Sequence, residues 1–283
     1  MNKKIIVFLL FLNVVSFSFV YLLSSDSDLQ VIFFDVGQGD SIFIETPQKH
    51  QIIIDSGPGD KTLLEKVSST MPFWDKTIDL IILTHTDNDH ISGFFELLDN
   101  YVIENILWSG VSGDSSRSKK WETMIGLEGA NIVYSNDVNK IILGDVTLDI
   151  ISPNDYIIEK YSKNANDISV VSKMTYKNNS FLFPGDITNK VEKEIINEDI
   201  FADVLKVSHH GSKHSTSVDF IEKVNPLIAV IQVGKNSYGH PADDTLTRLS
   251  NFGIKILRSD ISGDIKISSD GNNYKIITNK KII

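Results

Sequence analysis

The stretch His85-Thr86-Asp87-Asn88-Asp89-His90 follows directly on an apolar, strand-like run, Ile78–Thr84, and precedes a helix-like one, Ile91–Leu98. Four potential metal ligands, His85, Asp87, Asp89 and His90, fall within six residues. Their alternation lets His85, Asp87 and Asp89 converge from a tight turn while His90 opens the following helix. Imidazole and carboxylate donors suit zinc, manganese or iron rather than a soft metal. The plain alternative is a solvated turn with a helix-capping aspartate. Four such side chains directly behind a buried strand speak against it, because strand ends are where α/β folds present functional groups.

Outward from this stretch, the same arrangement recurs. Phe183-Pro184-Gly185-Asp186 ends the run Ser180–Phe183, and Ser208-His209-His210-Gly211-Ser212 ends Val204–Val207. Tyr238-Gly239-His240-Pro241 lies downstream of Leu227–Val233. Taken singly, Asp186 and His240 read as turn residues. Taken together, the clusters stand at the C-terminal ends of successive strands, so all can open on one rim. Gly37-Gln38-Gly39-Asp40 splits the strands Val31–Val36 and Ser41–Glu45 and can line the same rim, its glycines permitting the turn.

The remaining pattern alternates strand-like and helix-like segments. Gln51–Ile54, Val102–Trp108, Ile132–Tyr134, Ile254–Leu257, Ile265–Ser268 and Tyr274–Ile277 read as strands, and Lys61–Ser69 as a helix. Gly144-Asp145 and Asn178-Asn179 mark two hairpins, Lys140–Ile151 and Ser169–Phe183. Gly110–Lys119 is polar and serine-rich and reads as a loop. Tyr101, Trp108, Trp121 and Tyr161 read as packing rather than as a base-stacking platform. With no linker or repeat, residues 28–283 form one α/β domain of two sheets with outer helices.

Composition narrows the function. With 41% hydrophobic and 23% charged residues the chain is of ordinary globular type. The net charge of −10 disfavours tight, non-specific nucleic-acid binding through a basic surface, although a bound metal supplies positive charge locally. There is no cysteine, which excludes thiolate ligands, disulfides and a cysteine nucleophile. Lys3 and Lys4 precede an apolar run from Ile5 to Leu23, close to the length of a membrane span. Residues 1–25 therefore read as a signal anchor or as a cleaved signal peptide. Either places the rest of the chain outside the cytoplasm, membrane-anchored or secreted.

These motifs resemble the metallo-β-lactamase superfamily, whose motif is H-x-H-x-D-H, with Asp87 here in the place of the second histidine. The resemblance is specific to the branch containing the hydrolase domain of ComEC-type DNA-uptake proteins. That branch's D-V-G-Q-G-D matches Asp35 to Asp40, its I-D-S/G-G matches up to Asp55–Gly57, and its H-x-D-x-D-H matches His85 to His90. Its N-D-x-S, G-D-I, H-H-G-S and Y-G-H-P match Asn166 to Ser169, Gly185 to Ile187, His209 to Ser212 and Tyr238 to Pro241, in the same order. The resemblance implies an αβ/βα sandwich of two mixed sheets and two divalent metal ions, zinc or manganese. It assigns His85 and Asp87 to the first metal with Asn166 nearby, where most of the superfamily has a third histidine. Asp89, His90 and His209 go to the second metal and Asp186 bridges; His210 is either a ligand or a supporting group. Asp55 would orient the ligand histidines. A hydroxide made available by the two metals would attack phosphorus or a carbonyl carbon. Asp89, Ser212 and His240 are the candidate catalytic residues, with His214 a further flanking group.

The implied activity is that of a metal-dependent phosphodiesterase or nuclease, with a phosphodiester or nucleic acid as substrate. The alternatives are an ester, lactone or β-lactam hydrolase on the same fold, or a non-catalytic metal- or partner-binding domain. The transmembrane channel of ComEC-type proteins is not expected here, and residues 26–283 read as a stand-alone or anchored hydrolase domain. No protein partner is inferable.

Overall fold

The computed structural model describes residues 3–24 and 28–280, with side chains of 18–24 excepted. Strands run in the order β1 (Leu29–Phe33), β2 (Ile42–Glu45), β3 (Gln51–Ile54), β4 (Thr77–Leu83), β5 (Val102–Trp108), β6 (Asn131–Tyr134), β7 (Lys140–Leu143) and β8 (Val146–Ser152). They continue with β9 (Val171–Tyr176), β10 (Asn179–Phe183), β11 (Val204–Lys206), β12 (Ile228–Ile231), β13 (Lys255–Arg258), β14 (Ile265–Ser269) and β15 (Tyr274–Thr278). Two mixed sheets form, ordered β15-β14-β1-β2-β3-β4-β5-β6 and β13-β12-β11-β10-β9-β8-β7.

The period-two alternation of each strand decides the layers. Leu29, Val31 and Phe33 of β1 face the second sheet, where Phe181 and Phe183 of β10 and Val204 of β11 meet them in a central core. Ile32 and Phe34, one residue out of phase, face outward and are covered by Val67, Phe94, Trp121 and Ile125 of the flanking helices. On the outer face of the second sheet, Leu182 and Leu205 pack on Val191 and Phe220, and Ala229 and Ile231 on Ile221 and Leu249. Each fully buried side chain of this kind contributes roughly 1.5–3 kcal/mol. The result is the expected αβ/βα sandwich.

Some local expectations shift. The helix read over Ile91–Leu98 is two short helices, Asn88–Ile91 and Phe94–Leu98. Gly93 stands between them, where only glycine fits, because a Cβ there would lie 2.1 Å from the carbonyl oxygen of Ser56. The polar loop Gly110–Lys119 gives way at Ser116 to a helix, Ser116–Glu128. Ser115 caps it by accepting from the Ser118 amide, and Trp121 and Ile125, four apart, are its buried contacts. The turn of the second hairpin is Lys177-Asn178 rather than Asn178-Asn179, since Asn179 already pairs with Tyr176. Tyr101, Trp108 and Trp121 are buried in the core.

The first helix spans Lys3–Ser24, and its described side chains, Lys3–Phe17, are all exposed. Among the described residues no helix is long and apolar enough to cross a membrane. Met1, Asn2 and Ser25 of the expected anchor or signal lie outside the described residues, as do positions 281–283 at the end of the domain.

Candidate metal centre

β1 and β3–β6 run parallel to one another, as do β10–β13, and their C-terminal ends meet on one rim. β4 delivers His85 and the turn to His90. β10 delivers Asp186, and β11 delivers His209 and His210. Gly39 is needed where the first loop crosses this turn: at φ 140°, its Cβ position would lie 2.4 Å from the Asp89 carbonyl oxygen. That contact carries Asp40 into the site, with its amide 3.2 Å from the same oxygen.

The first half of the centre hangs on Asp55. Its Oδ1 accepts from the Thr84 amide at 2.8 Å, and its Oδ2 accepts from the Thr84 hydroxyl at 2.7 Å. The same Oδ2 lies 2.8 Å from His90 Nδ1. Thr84 Oγ1 is in turn 3.0 Å from His85 Nδ1, and Ser169 Oγ is 3.4 Å from it. The Asp87 side chain makes no capping hydrogen bond to the helix it precedes. It stands half-exposed, 3.7 Å from His85 Nε2.

The second half centres on Asp186. Its Oδ2 lies 3.3 Å from His90 Nε2 and 3.4 Å from His210 Nε2. Its Oδ1 accepts from Lys206 Nζ at 3.0 Å and from the His209 amide at 3.2 Å. Lys206 is fully buried, touches Asp40 as well, and donates to the Gly185 carbonyl at 2.9 Å. His209 and His210 both occupy the left-handed region (φ 52°), at a cost of order 1–3 kcal/mol each. This backbone turns His210 inward. Its Nδ1 lies 2.9 Å from the Gln232 carbonyl oxygen, and its Nε2 lies 3.3 Å from Asp89 Oδ2. The side chain of Gln232 donates across to Phe34 and Ser41, tying the second sheet to the first.

The charges follow from this packing. Burial alone would raise the Asp186 and Asp40 carboxyls, but Lys206 and His210 hold both below the ordinary carboxylate range. Burial raises Asp55 and Asp87. Burial opposes protonation of His90 and His210, yet Asp186 with Asp55 raises the first well above its usual value, and Asp186 with Asp40 raises the second to about 10. Burial lowers His85, aided by His90, and lowers His209. Burial, with His209 and His210 nearby, brings His240 down to about 4.

The donors fit a divalent cation. In His85, His90 and His210 the Nδ1 atom has a partner, while the Nε2 atom is buried without a hydrogen bond. Engaging one ring nitrogen leaves the other to a metal. Three groups, His85–His90–Asp186, Asp89–His90–His210 and Asp40–Asp55–His90, each bring their ligand atoms within 4.8 Å of one another. Above them opens a cavity of about 170 Å³ lined by Gln38, Asp87, Asp89, Asp186, His209, His210, Tyr238 and His240.

This geometry separates residues that the sequence leaves together. His210, rather than His209, joins Asp89 and His90. His209 lies in the cavity wall, its ring 5.4 Å from that of His240. Asn166 presents a buried, unpartnered Oδ1 from the 3-10 turn Ala165–Ile168, directly before Ser169. Ser212 is buried, its hydroxyl accepts from the His214 amide at 3.3 Å, and it is not among the residues lining the cavity. His214 lies in a separate depression with Lys213 and Arg248. His240 keeps its rim position because Asn236 clasps its loop, accepting from the His240 amide and donating to the His240 carbonyl. Lys206, Gln232 and Asn236 have no signal in the sequence. Lys206 sits inside a strand, where a lysine reads as surface.

Comparison with known proteins agrees with this architecture. The Metallo-beta-lactamase superfamily matches residues 34–107. ComE operon protein 3 of Bacillus subtilis (strain 168) is 31% identical over 271 residues, 88% of this chain and 34% of that protein. Competence protein ComA of Neisseria gonorrhoeae is 25% identical over 250 residues, 85% of this chain and 32% of that protein. The chain thus spans about a third of the length of these relatives. Among solved structures, the metallo-beta-lactamase fold protein YhfI from Bacillus subtilis superposes with a TM-score of 0.55 at 10% identity, over 83% of this chain and 98% of that one. The fold is the metallo-β-lactamase fold, and the resemblance to competence proteins extends over most of the chain.

Proposed function

We propose that this chain is a metal-dependent phosphodiesterase acting on nucleic acid outside the cytoplasm, held at a membrane by its first segment. The observation that carries the reading is the gathering of His85, His90, His210, Asp89 and Asp186 beneath one polar cavity, which Asp89, Asp186 and His210 line. His85, His90 and Asp186, with Asp89 and His210, would hold two divalent ions, zinc or manganese; Asp87 borders the first of these groups. When bound, such ions supply Lewis-acid charge and lower the pKa of water toward 7.

The protein's own part is positional. Asp55 holds the His90 ring, the Gln232 carbonyl holds the His210 ring, and Lys206 takes one oxygen of Asp186 so that the other faces the histidines. His240, neutral at physiological pH, stands in the cavity wall to hydrogen-bond a phosphate oxygen. Tyr238 is 74% exposed, its ring 5.9 Å from that of His240. That is a face on which a base can stack. A small apolar pocket for an ester is not what lines the site: Tyr238 is the one largely apolar side chain among the lining residues. Similarity to competence proteins supports nucleic acid as the polymer. The apolar run continuing to Leu23 behind Lys3 and Lys4 supports membrane attachment.

The test is degradation of single-stranded DNA by the full chain with Mn²⁺ or Zn²⁺, against Asp89→Ala. Cleavage that needs metal and is lost in the variant is expected. A folded, metal-loaded chain that leaves DNA intact but hydrolyses lactones or carboxylic esters overturns the phosphodiesterase reading.

A further inference from the structure

We infer that the pole opposite the metal-ligand rim is a lipid-facing surface, which seats the domain on the bilayer with its site directed away. The inference rests on the membrane attachment proposed above. Because the rim gathers the C-terminal ends of the parallel strands, their N-terminal ends make up the opposite pole. Large apolar side chains are exposed there. Phe73 and Trp74, 81% and 72% exposed, precede β4 and pack edge-to-face on each other at 4.9 Å. Val102 begins β5, and Leu127, 83% exposed, lies just ahead of β6. On the second sheet Leu227 precedes β12 and Phe252 precedes β13.

β4, β5 and β6 are neighbours. The first four side chains thus stand at the start of, or on the segments that lead into, three adjacent strands. Soluble surfaces seldom gather large apolar groups in this way without a partner.

The occupant is indicated by the chain itself. β1 is parallel to β4, so Leu29, its first residue, opens at this same pole. It lies three strands from β4, roughly 14 Å. The five steps from Ser24 to Leu29 span at most about 17 Å. The end of the apolar helix is therefore tethered within about 17 Å of Leu29, at this same pole. The helix's described side chains, Lys3–Phe17, are all exposed. An apolar segment and an apolar pole joined by so short a connection suit one and the same medium. Tryptophan beside phenylalanine is the composition of a membrane interface.

The experiment uses the full chain with phosphatidylcholine vesicles, reading Trp74 as the difference between wild type and Trp74→Phe; the other two tryptophans, Trp108 and Trp121, are buried. The Trp74 emission is expected to shift to the blue, to be quenched by lipids brominated near the headgroup, and to be shielded from acrylamide. Phe73→Ser with Leu127→Ser should restore acrylamide access while the chain still sediments with vesicles. A vesicle-bound chain whose Trp74 stays as open to acrylamide as free tryptophan overturns the seating alone. A chain that remains in the supernatant overturns the attachment and the seating together.

Discussion

The two sheets supply the candidate metal ligands by unlike means. The first delivers His85, Asp87, Asp89 and His90 from a single turn, and the neighbouring Asp55 orients it through hydrogen bonds to Thr84 and His90. The second delivers Asp186 and His210 from two different strands, and a buried ammonium, Lys206, draws Asp186 together with Asp40 of the first sheet. One half is preorganised locally. The other is preorganised by a charge that only the packed sheets bring into place. A turn of closely spaced ligands has little freedom to lose, whereas ligands from distant strands need a device that holds them against their own repulsion.

The largest expected effect tests that device. Lys206→Met removes the buried ammonium from Asp40 and Asp186 and leaves them only His90 and His210 as cations, which should cost about 3–5 kcal/mol in urea unfolding of the metal-free chain. Asp40→Asn in the same background should recover part of it. A loss below about 1 kcal/mol would mean that the second half is held by backbone packing rather than by charge.

A smaller effect is expected in the first half. Asp55→Ala frees the His90 ring and should weaken Mn²⁺ or Zn²⁺ binding by about 10- to 100-fold in calorimetry. Unchanged affinity would show that the turn orients its ligands without Asp55, and the contrast between the halves would sharpen.

The third test is pH. In the metal-free chain Asp186 and its fellow carboxylates keep His90 protonated well above its usual range and His210 protonated up to about 10. A metal takes the neutral ring, so binding displaces these protons. Apparent affinity should rise by up to about tenfold per pH unit per displaced proton between pH 7 and 10. For His210 the folded pKa lies above the ordinary 6.5. Its contribution to metal-free stability is therefore full below pH 6.5 and is lost as pH rises through about 10. The metal-free chain should melt at lower temperature at pH 10 than at pH 6.5, and metal should reverse the trend. A melting temperature flat across that range would remove the ionic description of the second half.

Legibility in the sequence divides along the same line. The strands around the rim were readable because their apolar runs are short, β-branched and punctuated by glycine. The helix Ser116–Glu128 was not fully readable, because its first turns are polar and it buries little beyond Trp121 and Ile125. His85 to His90 stood out as a cluster, while Asp186 and His240 were, singly, turn residues. Lys206 carried no mark at all, since a lysine's role as an internal cation depends on carboxylates 20 and 166 positions away.

By itself the amino-acid sequence determined the donor types, their placement at strand ends, the exclusion of thiol chemistry and the two-sheet architecture. These follow from side-chain chemistry and from period-two patterning, both local properties of the chain. Only the tertiary structure decided that His210 rather than His209 joins Asp89, that Ser212 is not among the residues lining the cavity, and that Lys206 balances Asp40 and Asp186. Each of these depends on how two sheets, formed by segments far apart in sequence, meet across a common core, where a change of backbone angle at a single histidine decides which side chain faces inward.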